Sequence, residues 1–137
     1  MSAVVIDASA GVEIVAGTRR GRALARLLPA AAEGWVPEHF YAEVLAVLRR
    51  QLLAGRLTDS QATAAVARLG AWHLRRASVA PLLPAAWSYR HNLTAGDALY
   101  VVLAEQLGAS LLTDDHRLAE APTFPSSLTL LRLPVSP

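Results

Sequence analysis

The chain predicts an α/β fold: a three-layer α/β/α sandwich around a mostly parallel sheet of four to five strands. Three observations carry this expectation. Short apolar runs alternate with longer helical periods along the chain, as parallel sheets with crossover helices require. Two of the runs, Ala3–Ile6 and Ala109–Thr113, are nearly all apolar, as strands covered on both faces are. Each of those two runs is followed at once by an acid, Asp7 after the first and Asp114-Asp115 after the second.

In chain order, Ala3–Ile6 forms the first strand and Asp7 ends it. Ser9 is the expected N-cap of a helix through Val15, closed by Gly17. An Arg-rich helical segment spans Arg19 to Leu28, with Pro29 as its stop. Glu33-Gly34 reads as a turn, Trp35-Val36 as a short strand, and Pro37 as the first position of a helix running to about Ala54. Tyr41, Val44, Leu45, Leu48 and Leu52 set the apolar stripe of that helix, and Glu43 lies beside the stripe. Thr58-Asp59-Ser60-Gln61 has the form of a capping box for a helix through Leu69. Ala71–Ser78 holds a third strand, and a helix follows from Val79–Leu83 to near His91. Thr94 caps the next helix, with Asp97 in its first turn and Gly108 as its stop. After the strand ending at Thr113 come a brief helix over His116–Ala121, the segment Pro122–Ser127 and a last strand, Leu128–Leu133.

The 137 residues suit one domain, residues 1–137, with a single sizeable core. Charged residues are 18%, low against a typical share of about 25%. This points to a well-buried chain or one that hides an apolar face against a partner. The net charge is +2, and all 13 basic residues are Arg, so the pI near 9.7 overstates a small excess. Arg19, Arg20, Arg22 and Arg26 are the densest basic cluster, a solvated helix face or a contact for phosphate or a partner. Absence of Cys excludes disulfides, thiolate zinc sites and a Cys nucleophile. No apolar run reaches the roughly 20 residues of a membrane helix, and the first strand begins without a charged leader, so a cytoplasmic protein with no membrane partner is expected. His39, His73, His91 and His116 show no zinc spacing, and Trp35, Trp72 and Trp87 are expected in the core or an interface.

Asp7, Glu43, Asp97 and Asp115 are the candidate site, with Asp114 beside them. Each has a structural account on its own. Together they differ, because ligands of open parallel sheets bind outside the carboxyl ends of the strands, and a helix start such as that of Asp97 points to the same edge. Crowded carboxylates repel one another, and a hard cation relieves that. An all-oxygen ligand set suits Mg²⁺, with Mn²⁺ as substitute, and such a site suits hydrolysis of a phosphodiester.

Val4-Val5-Ile6-Asp7-Ala8-Ser9-Ala10, Glu43-Val44, Thr94-Ala95-Gly96-Asp97-Ala98 and Leu111-Leu112-Thr113-Asp114-Asp115-His116-Arg117-Leu118 resemble, in order and spacing, the motifs of PIN-domain ribonucleases, in particular the VapC-type toxins of toxin–antitoxin pairs. The resemblance covers about Val4 to Leu133. It implies a Mg²⁺-dependent endoribonuclease with Asp7 and Asp97 as main metal ligands and Glu43 and Asp115 completing the catalytic cluster. Ser9 and Thr113 stand where the family often places a supporting hydroxyl, and Asp114 is an additional carboxylate. The resemblance also implies a homodimer, an RNA substrate and a small antitoxin that blocks the cleft. Ala46 departs from the pattern, which often has a small polar residue there.

Other acid-bearing α/β folds fit less well. A response-regulator receiver needs a lysine, and the chain has none. A haloacid-dehalogenase-like phosphatase needs Asp-x-Asp, where this chain has Ser9, and the Gly-x-Gly-x-x-Gly loop of a dinucleotide module is absent. A catalytically idle PIN-like binding module and a PIN nuclease that is not a toxin are the alternatives.

Overall fold

The computed structural model describes residues 2–121, 124–125 and 127–134. Five parallel strands form one sheet in the order β3-β2-β1-β4-β5: β1 is Ala3–Ile6, β2 Glu33–Pro37, β3 Arg75–Ala77, β4 Ser110–Leu112 and β5 Leu130–Leu131. The helices are α1 (Ala8–Ala16), α2 (Arg19–Ala25), α3 (His39–Leu53), α4 (Asp59–Ala71), α5 (Leu83–Trp87), α6 (Ala95–Leu107) and α7 (His116–Ala119), with a 3-10 turn over Ala80–Leu82.

The topology determines the layers. From β1 the chain steps one way to β2 and β3, then jumps back across β1 to β4 and on to β5. Right-handed crossovers place α1 to α4 on one face and α5 to α7 on the other. That covers both faces, which is why Val4, Val5 and Ile6 of β1 are all buried, and Leu111 and Leu112 of β4 with them. The direction reverses between β1 and β4. The carboxyl ends of these two strands are therefore the switch point of the sheet, where a crevice opens in folds of this kind.

Several local expectations hold. Thr94 Oγ1 accepts from the Asp97 N–H, Thr58 and Gln61 form the reciprocal capping box, and Gly17 and Gly108 end their helices in the left-handed region. Others are corrected. The N-cap of α1 is Asp7, not Ser9: its Oδ1 accepts from the Ala10 N–H. Glu33-Gly34 is strand, not turn, because β2 pairs with β1 from Glu33 onward and a side chain at Gly34 would run into Leu74. Pro37 ends β2 and does not begin the helix: it sits opposite Ala77 in the β2–β3 ladder, and α3 starts at His39. The Arg-rich helix stops at Ala25, and α5 ends at Trp87, short of His91. The last helix and strand shrink to His116–Ala119 and Leu130–Leu131. Part of Pro122–Ser127 lies outside the described residues. Of the stripe on α3, Val44 and Leu48 are core, but Leu45 is 50% exposed, while Phe40 joins them at full burial. Trp35 and Trp72 pack on the core, whereas Trp87 is 68% exposed.

Candidate active site

The register of β1 and β4 builds the centre. Ile6 pairs with Leu112, so the next residues, Asp7 and Thr113, stand side by side as both strands leave the sheet. Both are buried. Asp7 Oδ1 accepts from the Ser9 hydroxyl at 2.6 Å and the Ala10 N–H at 3.0 Å, and its Oδ2 accepts from the Thr113 hydroxyl. Each hydroxyl in turn accepts a backbone N–H, Ser9 from Asp114 at 2.8 Å and Thr113 from Asp115 at 3.0 Å. Two peptide dipoles thus reach Asp7 through two hydroxyls, which fixes the rotamer of the carboxylate. Burial nevertheless dominates and pushes the Asp7 carboxyl up to about 6, against the hydrogen bonds of Ser9, Thr113 and Ala10, with the charge of Asp97 adding to the rise.

Asp97 comes to the same edge because α6 runs back to the start of β4, which leaves its own N-terminus at the carboxyl ends of the strands. Its carboxyl is raised by burial and by the charges of Asp115 and Glu43, against the Thr94 hydrogen bond and Arg117. Asp97 is therefore the hub: it senses Glu43 and Asp115, and its charge acts on Asp7. Glu43 arrives from the first turns of α3. Its Oε1 accepts the Tyr100 hydroxyl at 2.6 Å and lies 3.4 Å from His39 Nε2. His39 also reaches the Gly96 carbonyl at 3.3 Å and packs on the Tyr100 ring at 4.7 Å. Gly96 gives the room for this, since a Cβ there would lie 2.5 Å from Glu43 Oε2. Asp115 caps α7, accepting from the Arg117 N–H at 2.9 Å. Asp97, Asp115, Thr94, Asn92, Arg117 and Leu118 line an open cavity of about 200 Å³. A larger apolar cavity of about 710 Å³, between α5 and α6 and walled by Leu83, Trp87, Leu93 and Leu99, carries no acid or base able to move a proton.

Asp114 does not point free into solvent. It takes a two-point ion pair from Arg20, with Nε at 2.8 and 2.7 Å and Nη2 at 2.7 Å. Glu13 lies near this pair, its carboxyl raised by burial and by Asp114. Sequence reasoning weighed neither Tyr100 nor Glu13 and did not place His39 or Arg20 in the site. A signal for His39 and Tyr100 existed: His39 with Glu43, and Gly96 with Tyr100, are both four apart on their helices, so each pair shares a face. Nothing in the sequence joins Arg20 to Asp114. Ala46 is exposed, so Tyr100 and His39, not a residue at that position, support Glu43.

Among the described residues no three His, Asp or Glu side chains converge closely enough to enclose an ion. The donor set still fits a hard cation. The acids offer oxygen alone, and neither Asp7 nor Asp97 has an ion-pair partner among the described residues. Mg²⁺ is commonly held by one or two carboxylates and keeps its waters, which suits an open cluster better than a closed cage.

The model of the PIN domain family matches residues 4–123. The chain is 44% identical over 118 residues to ribonuclease VapC3 of Mycobacterium tuberculosis, covering 86% of each chain. It is 38% identical over 133 residues to ribonuclease VapC1 of the same organism, covering 96% of this chain and all of that one. Its fold superimposes on VapC20 of Mycobacterium tuberculosis, described as a sarcin-ricin loop cleaving toxin, with a TM-score of 0.63 and 20% identity over 85% of this chain and 92% of that one. It also superimposes on the VapBC2 structure from Rickettsia felis, described as bound to a DNA fragment from its promoter, with a TM-score of 0.67 and 13% identity over 96% and 99%. The chain belongs to the PIN-domain family and, within it, to the VapC ribonucleases.

Proposed function

We propose that this chain, acting as a single nuclease domain over residues 1–137, is a Mg²⁺-dependent endoribonuclease and the toxin of a toxin–antitoxin pair. The observation that carries the reading is Asp97, half-buried at the switch-point edge and facing the charges of Asp7, Glu43 and Asp115. A cluster of this kind is costly without a cation and useful with one. Asp7 and Asp97 are the residues to hold Mg²⁺ or, in its place, Mn²⁺. When bound, that ion supplies an activated water and neutralises charge on the scissile phosphate.

The remaining work falls to the chain. The Ser9 and Thr113 hydroxyls keep Asp7 from rotating away. Tyr100 ties down Oε1 of Glu43, leaving Oε2 to accept the proton of an attacking water. Asp115, which lines the same cavity as Asp97, orients water there, with its own direction set by the Arg117 N–H. The relatives named as ribonucleases support RNA as substrate, and the VapBC2 structure supports a small antitoxin partner. A homodimer and a cytoplasmic place of action complete the reading, and no helix among the described residues is long and apolar enough to cross a membrane.

The test is cleavage of total cellular RNA by the purified protein with Mg²⁺ or Mn²⁺, with chelator, and by the Asp97→Asn variant. Cutting should need the metal and should vanish in the variant, which keeps side-chain size and loses one ligand charge. A folded variant that cuts like the parent would overturn the site. Failure of the parent both to cut and to bind metal would favour the idle binding module.

A further inference from the structure

Arg20 and Asp114 form a pair that the carboxylate chemistry does not use. The guanidinium approaches Asp114 side-on, through Nε and Nη2, at 2.7–2.8 Å. The outer Nη1 edge is left without a partner among the described hydrogen bonds, and the Arg20 side chain is 41% exposed. A free arginine at this exposure would sample many rotamers, whereas this one is held by a planar two-point grip. Its anchor stands at the catalytic edge, since the Asp114 N–H donates to Ser9 Oγ and Ser9 donates to Asp7. Two hydrogen-bond steps thus link the Arg20 anchor to the proposed metal ligand.

Arg20 is also part of an exposed basic face. Arg19, Arg22 and Arg26 are exposed on or at the end of the same α2, none forms an ion pair among the described residues, and α2 contains no acid. Even after subtracting Glu13 and Asp114, this corner of the molecule keeps a positive excess. We infer that α2 is the RNA-backbone rail of this nuclease, with Arg20 contacting a phosphate beside the scissile one and Asp114 acting as its positioning residue. The inference rests on the ribonuclease reading and adds to it the direction in which the substrate leaves the cleft. A solvated helix face does not account for the one arginine that is locked to the site edge with its outer edge presented to solvent.

The test uses the full chain and its Arg20→Gln, Arg20→Lys and Asp114→Asn variants. Binding of a labelled 20-nucleotide single-stranded RNA is measured in chelator against salt concentration, and cleavage of total RNA is measured with Mn²⁺. Arg20→Gln should weaken binding and reduce the salt slope by about 0.7, the value for one phosphate contact on a single strand. Its KM should rise several-fold while kcat moves less. Arg20→Lys should keep the slope but not the affinity, because the charge stays and the two-point grip is lost. Asp114→Asn is the sharpest arm: removing an acid should tighten RNA binding by charge alone, but should weaken it if Asp114 aims Arg20. Unchanged slope and KM in Arg20→Gln, whatever its melting temperature, would reduce the pair to a structural clasp and overturn the inference. Tighter binding by Asp114→Asn would overturn the positioning role. A parent that binds RNA through Arg20 yet cuts nothing would sink the nuclease reading and leave the rail standing.

Discussion

At the scale of single residues, the site is built against its own stability. Asp7 is buried, and its carboxyl is pushed from near 3.8 up to about 6, chiefly by loss of water. The folded protein therefore holds that proton more tightly than the unfolded chain does. Stability contributed by the protonated form is present at low pH and is lost as pH rises from about 4 through about 6, at a cost on the order of 3 kcal/mol once Asp7 is ionised. Asp7→Asn removes the charge and keeps an oxygen to accept from Ser9 and the Ala10 N–H. In chelator at pH 7.5 the variant should melt above the parent, and the gap should close by pH 4, as thermal denaturation followed across that range would show. A variant that melts below the parent at pH 7.5 would mean that the lost Thr113 hydrogen bond, not burial, governs the position. The same substitution should abolish cleavage, so the residue trades stability for activity.

At the scale of elements, the helix starts do the positioning, and two caps allow their roles to be separated. Thr94 and Thr58 both cap a 13-residue helix by accepting an N–H three residues on. Either change to Ala should cost about 1 kcal/mol. The first turn of α6 carries Asp97, and the first turn of α4 carries no site residue. Thr94→Ala should therefore lose cleavage well beyond its loss of stability, whereas Thr58→Ala should match it only in melting temperature; equal activities would show that the α6 cap does not align Asp97. Both caps were legible because a cap is a local pattern with a fixed spacing. The start of α1 was not, because Asp7 and Ser9 are both good caps two residues apart, and only the tertiary need for the Ser9 hydroxyl at Asp7 separates them. Pro37 was ambiguous for a similar reason: a fixed φ near −65° suits a helix start and a strand end alike, and the pairing with β3 decides it. Asp7, Asp97 and Asp115 could be expected at one edge from strand and helix ends alone, whereas Glu43, inside its helix, was tied to them only by the family resemblance. The contacts that orient them could not, since Tyr100 with Glu43 and Arg20 with Asp114 are 57 and 94 residues apart and no local pattern encodes them.

At the scale of the whole molecule, the sheet order gathers the acids of distant segments at one edge. Only because β4 lies next to β1, not next to β3, do Asp7 and Thr113 become neighbours, and only because α6 returns to β4 does Asp97 meet them. The Asp7 and Asp97 carboxyls are raised first by burial at this edge, and the neighbouring carboxylate charges add to the rise. A cation that binds this edge binds the folded chain and not the unfolded one, so it must raise stability by mass action. At 100 times its dissociation constant the gain is about 2.7 kcal/mol. For this chain of 137 residues that is a rise in melting temperature of roughly 5–11 °C, at about 2–4 °C per kcal/mol. Thermal scans at pH 7.5 with increasing Mn²⁺ should show this rise in the parent, and Asp97→Asn should lose most of it while still melting cooperatively in chelator. Ca²⁺, which prefers more ligands than this open edge offers, should give a smaller rise at equal concentration. An equal rise in parent and Asp97→Asn would place the cation elsewhere on the molecule and break the link between the switch point and the metal.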